Sequence, residues 1–171
     1  MAESSEIAVL FLEFSRERLH LLASRVADCL GRLSDEQIWH RESEVENSVA
    51  NLVLHLSGNV RQWIISGVGG QPDMRQRDEE FSRRQGASAA ELSKLLESTV
   101  SEAVELIQSV PHARLTEKIA VQGRNPSVLE AIYTVVEHFG EHTGQIMYMT
   151  KQMTREDLGY HKHLNPQKAS L

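Results

Sequence analysis

The chain holds a single cysteine, Cys29, so no disulfide can form within it, and a reducing, cytoplasmic setting is the expectation. No window approaches the roughly 18 consecutive apolar residues of a membrane-spanning helix. The start, Met1 to Glu6, is acidic where a secretory leader would be basic and then apolar, and it reads as no export signal. A concentrated basic surface is missing as well. The formal net charge is -6, and the one arginine-rich stretch (Arg75, Arg77, Arg83, Arg84) is interleaved with Asp73, Asp78, Glu79 and Glu80. Phosphate-backbone binding needs concentrated positive charge, so no nucleic-acid partner is expected, and the stretch reads as a solvated charged loop. There is no internal repeat and no low-complexity tract.

What remains is an ordinary globular composition. With 40% hydrophobic and 25% charged residues over 171 positions, the chain suits one folded domain with a substantial core. Apolar residues recur at helical spacing in four stretches. The first spans residues 5–30, carries Ile7, Leu10, Phe11, Phe14, Leu19, Leu21, Leu22 and Val26, and stops at Gly31. Ser34 to Gln37 resembles a capping box that opens a short turn. The second stretch runs from Ser48 to Val68 with Val49, Leu52, Val53, Leu56, Val60, Trp63 and Ile64 inward, and Gly69-Gly70-Gln71-Pro72 ends it. The third opens at the Ser88–Glu91 capping box and runs to Val110 before Pro111; the fourth opens at the Ser127–Glu130 box and reaches about Met153.

Between the second and third lies a long charged segment, poor in core residues apart from Met74 and Phe81. Leu115 to Val121 predicts a short strand or an irregular crossover, with a turn at Gly123 and Asn125-Pro126. The tail after Thr154 is polar and shows no core pattern. The fold class is therefore all-α, a four-helix bundle with a long loop between helices 2 and 3 that argues against plain up-down-up-down order. Residues 5–155 form the domain and 156–171 the tail.

Chemistry concentrates in the fourth stretch. His138 and His142 lie four apart, so on a helix their side chains stack on one face about 5–6 Å apart between Cβ atoms. Two imidazoles so placed can share one metal ion. The third candidate ligand is His55 on the second stretch. On a helical wheel each of the three sits beside its apolar stripe, displaced by about 100° or somewhat less, where it faces a cavity between helices. Asn59 shares the face of His55, and Gln145 that of the pair, both suited to fixing histidine tautomers. Spacing alone leaves a metal site and ordinary core-edge histidines both open. His20, His40 and His112 have no partner at ligand spacing, and His161 and His163 sit in the polar tail.

Two segments carry a more specific signal: Asn51-Leu52-Val53-Leu54-His55-Leu56-Ser57-Gly58-Asn59-Val60-Arg61-Gln62-Trp63-Ile64 and His138-Phe139-Gly140-Glu141-His142-Thr143-Gly144-Gln145-Ile146. They resemble the two signature helices of the DinB/YfiT-like superfamily, and Asp73 to Phe81 resembles a bacterial branch of it. The resemblance covers roughly residues 5–155. It implies a four-helix bundle that binds zinc or nickel through His55, His138 and His142, and it implies a homodimer.

Three neutral nitrogen ligands leave a divalent ion with an open position. The resemblance favours a transferase that uses a low-molecular-weight thiol against an electrophilic small molecule. The alternatives are a non-enzymatic dimeric metal-binding stress or scaffold protein, and a metal-dependent hydrolase. No catalytic residue is assigned. Glu137 and Glu141 flank the ligands but project away from them, and Cys29 reads as a small buried hydrophobe.

Overall fold

The computed structural model describes residues 2–162, with side chains from residue 5 onward. Four long helices form the body: α1 (Ala2–Gly31), α3 (Val49–Val60), α5 (Ala89–Ser109) and α6 (Val128–Thr154). Two short ones, α2 (Asp35–Trp39) and α4 (Arg77–Ser82), sit in the connections. The capping boxes at Ser34, Ser48, Ser88 and Ser127 all form, each serine accepting from the third helical backbone N–H and receiving a side chain back. Among the described residues the only β pairing is two isolated bridges, Lys118 with Ser127 and Val121 with Arg124. The segment between α5 and α6 is thus an irregular crossover, with Leu115, Ile119 and Val121 turned inward.

Each of α1 and α3 packs on both α5 and α6. Inter-helix contacts set the directions. Arg61 reaches Glu102, and Leu106 crowds Gly69 further along, so α3 and α5 run parallel. Leu22 lies beside Gly140 and Arg32 bonds Glu156, so α1 and α6 are parallel as well. The chain therefore leaves the end of the α3 segment and must return along the bundle before α5 begins. Residues 69–88 make that return, which is why the connection is long.

Four departures from the sequence expectation matter. The charged connection is not a bare loop, since it contains α4 and buries Glu80. The helix from Ser48 is not uniform either: Arg61–Val68 is π-helical, with Gly69 N–H donating to Ile64 O five residues back at 2.9 Å. The apolar residues of α1 serve two faces. Leu12, Leu19, Leu22 and Val26 are buried, whereas Ile7, Leu10, Phe14 and Leu21 form an exposed stripe. Finally, the segment after α6 does carry a core residue. Leu158 is buried, and the Tyr160 hydroxyl donates to Asp28 Oδ2 at 2.6 Å, sealing residues 156–160 onto α1. His163 lies outside the described residues.

The cap of α6 has a measurable signature. Glu130 accepts from the Ser127 backbone and hydroxyl and from Lys118, and these contacts hold its carboxyl at about 2 instead of 4.5. A carboxyl depressed by folding stabilises the native state above its unfolded pKa and loses that contribution as pH falls through the folded one. Glu130→Gln keeps the reciprocal box without the charge. Its unfolding free energy should fall less steeply than wild type between pH 4.5 and 2 in urea titrations; an unchanged slope would refute the assignment.

Candidate metal centre

α3 and α6 bring their histidines together across the bundle. One ring nitrogen from each of His55, His138 and His142 lies within 4.8 Å of the others, and among the described residues this is the only such group of three or more metal-capable side chains. The rings stand nearly perpendicular to one another, with interplanar angles of 78°, 87° and 84°. All three expected ligands are therefore assembled, while His20, His40 and His112 lie elsewhere.

Two of the three imidazoles, His55 and His142, are oriented by a hydrogen bond through the far nitrogen. His55 Nδ1 lies 3.0 Å from Glu80 Oε2, so Nδ1–H donates to the carboxylate and the Nε2 lone pair is left facing the cluster. Arg75 Nη2 is 3.1 Å from the same Nδ1. A guanidinium can only donate and would favour a bare Nδ1, but Arg75 Nη2 already donates to Glu80 Oε2 at 2.8 Å. The carboxylate can only accept, so the Nδ1–H tautomer is the one that satisfies Glu80. His142 Nδ1–H donates to Gln145 Oε1 at 3.0 Å, as its position on the wheel anticipated. His138 Nδ1 is 3.7 Å from the exposed carboxylate of Glu141, a looser contact that sequence reasoning did not foresee. Asn59 bonds none of the three, although it lines the adjoining cavity.

The donor set suits a divalent ion. Ligand nitrogens about 2.0–2.1 Å from a common ion stand about 2.9–3.4 Å apart. His55 Nε2 and His138 Nε2 are 2.8 Å apart, so only a small opening is needed. Burial, then the neighbouring His142, His55, Arg75 and Arg77, depress His138 to about 4, so at neutral pH its lone pair is available. Burial also lowers His142, against the opposing pull of its bond to Gln145.

Behind His55 stands a group that the sequence reading placed in solvent. Glu80 is 8% exposed and receives Arg75 Nε at 2.7 Å and Arg75 Nη2 at 2.8 Å, a two-pronged ion pair. Burial pushes the Glu80 carboxyl up, but the bonds from Arg75 and His55 outweigh it and hold the group below its ordinary range. Arg75 Nη1 also donates to Gln62 Oε1 at 2.8 Å, and Gln62 Nε2 donates to Asp73 Oδ2 at 2.7 Å. The Phe81 ring packs against His55 with centroids 4.7 Å apart. Asn51, completely buried, uses its amide to hold the backbone oxygens of Glu80 and Arg83 at 2.8 and 2.9 Å.

Gly58, one helical turn after His55, makes room for all this. A Cβ there would overlap Glu80 Oε1 and lie 2.9 Å from its Cδ and 3.1 Å from Arg75 Nε. The signals that were present in the sequence, a glycine three residues after a candidate ligand and an isolated Phe81 among charges, pointed here. The remaining candidates behave as expected: Glu137 is exposed, and Cys29 is buried in the core near Tyr160.

Three comparisons place the chain among known proteins. A model of the family described as "Protein of unknown function (DUF1572)" matches residues 6–162. A search of the curated proteins finds no match. Among solved structures, a conserved protein from Enterococcus faecalis aligns with a TM-score of 0.70 at 15% identity, over 81% of this chain and 94% of that one. A DinB-like protein from Bacillus cereus aligns with a TM-score of 0.62 at 18% identity, over 77% and 85%. These likenesses support the all-α fold. The chain belongs to the DUF1572 family and has the DinB-like helical-bundle fold.

Proposed function

We propose that His55, His138 and His142 hold one divalent ion, zinc or nickel, and that the site serves a cytoplasmic transferase acting with a low-molecular-weight thiol on an electrophilic small molecule. The observation that carries this reading is a convergent trio of imidazoles with no fourth protein ligand among the described residues. Two of the trio, His55 and His138, line a cavity of about 460 Å³. A structural site closes its shell with four protein ligands, whereas a working site keeps a position open. When bound, the ion supplies positive charge that favours a thiolate over its thiol, whose ordinary pKa is about 8.5.

The chain's own residues do the rest. Glu80 and Gln145 keep the Nδ1 protons in place, so the Nε2 lone pairs of His55 and His142 stay directed inward. The Phe81 ring, packed on His55, covers one face of that imidazole. In the transfer, the thiol proton goes to solvent and the sulfur pair forms a bond to the electrophilic carbon. The leaving group departs with the pair of the broken bond. The cavity's lining, which contains no carboxylate, favours this over hydrolysis. Hydrolysis draws on a general base to activate water, and a thiol ionising near neutrality needs none.

Elemental analysis of protein purified without chelators tests the centre. Wild type should carry about one divalent ion per chain, and His55→Ala and His142→Ala only background. Equal trace metal in all three would sink the reading. Glu80→Gln should weaken metal affinity about 10–100-fold in a competition titration, and Gly58→Ala should act in the same direction by displacing Glu80. Affinities matching wild type would reduce Glu80 to a partner of Arg75 alone.

A homodimer is part of the proposal, and the exposed stripe of Ile7, Leu10, Phe14 and Leu21 on α1 is the surface that supports it. Leu10→Glu combined with Phe14→Glu should shift sedimentation from dimer to monomer with the helical circular dichroism retained. Wild type sedimenting as a monomer would overturn it.

A further inference from the structure

The cavity beside the triad has a charge that the metal reading does not require. Arg75, Arg77 and Arg124 line it beside Trp63, His55 and His138, and no acidic residue does, in a chain of net charge -6. Arg75 is already committed to Glu80 and Gln62. Arg77 and Arg124 are not, because among the described residues no carboxylate pairs with either.

The Arg77 side chain is held at the cavity, and the backbone that carries Arg124 is fixed beside it. The Arg77 guanidinium lies over the Phe81 ring, 4.9 Å from its centroid, and Phe81 is itself packed on His55. Arg124 closes a tight turn in which Gln122 and Gly123 both adopt left-handed backbone, with φ of 51° and 70°. Val121 and Arg124 exchange backbone hydrogen bonds of 3.1 and 2.9 Å across it. The two arginines therefore approach from different parts of the chain. Trp63 lines the same cavity, but its indole Nε1 is itself buried, so the polar contacts on offer there are those of the arginines. Such an arrangement suits a planar anion, since guanidinium groups bind carboxylates through paired, charge-assisted hydrogen bonds.

We propose that this cavity is an anion subsite, in which Arg77 and Arg124 bind the carboxylate of a small-molecule substrate whose reacting end lies at the histidine triad. Its place in the reaction rests on the metal-and-thiol reading above, while its charge does not. The substrate class is thereby narrowed to molecules carrying an acid group a few bonds from the reacting atom. A carboxylate on the thiol and one on the electrophile present the same chemistry to the arginines.

Calorimetry on the full chain, stripped of metal, isolates the subsite. Succinate should bind, succinamide should bind at least about tenfold more weakly, and Arg77→Gln combined with Arg124→Gln should weaken succinate by about tenfold or more. Both arginines are exposed, so the variant should keep its fold. Equal binding of the acid and the diamide, no succinate binding, or full affinity in the double variant would overturn the subsite. A second arm uses the cobalt-loaded chain and reads the sulfur-to-cobalt absorption band. Tighter binding of 3-mercaptopropionate than of 3-mercaptopropan-1-ol, lost in the double variant, places the carboxylate on the thiol. Equal binding of the two thiols, with succinate still bound, places it on the electrophile. No band from either thiol sinks the thiol reading, and the succinate result still decides the subsite.

Discussion

A carboxylate buried between a guanidinium and an imidazole governs this bundle. Glu80 would be costly to bury alone, and Arg75, whose side chain is 3% exposed, would be equally so. Together they form a two-pronged pair, and His55 completes it. Such a pair adds little to net stability compared with an apolar replacement, but removing one member strands a charge. Its value here lies in position. It sets the tautomer of one triad histidine and fastens the connection that crosses the bundle.

That connection is fastened at several points along its length. Gln62 holds Asp73 and Arg75, Asn51 holds the end of α4, the Trp39 indole donates to Ala87 O, and Asp35 accepts from the Ala89 N–H. Parallel α3 and α5 oblige the chain to travel back between them, and the returning segment passes over the face of α3 that carries His55. One piece of chain therefore solves a topological problem and supplies the triad's support. The π-helical stretch belongs to the same arrangement, because Gln62 within it reaches both Asp73 and Arg75.

Much of this was legible in the sequence, and the division has a physical basis. Helix positions followed from apolar periodicity and from serine capping boxes, which are local in the chain. One local spacing and one wheel position on another helix made the three histidines candidates, and the resemblance of those two helices to the DinB/YfiT-like superfamily singled them out. Glu80 was not legible because its partners lie 5 and 25 residues away, and a run of alternating charges looks the same whether it is solvated or folded inward. The outer stripe of α1 was not legible for a related reason. Ile7, Leu10 and Phe14 have helical spacing, but spacing cannot say which of two apolar faces meets the core. In the tail, a single buried Leu158 makes no periodic pattern at all.

Gly58 turns the charge arrangement into a matter of one missing carbon. The space its side chain would fill is taken by Glu80 and Arg75. Residues 58 and 80 are thereby coupled through the space they share. A larger residue at 58 leaves no room for the acid, and loss of the acid removes the reason for the glycine. In relatives that keep this architecture the two positions should change together.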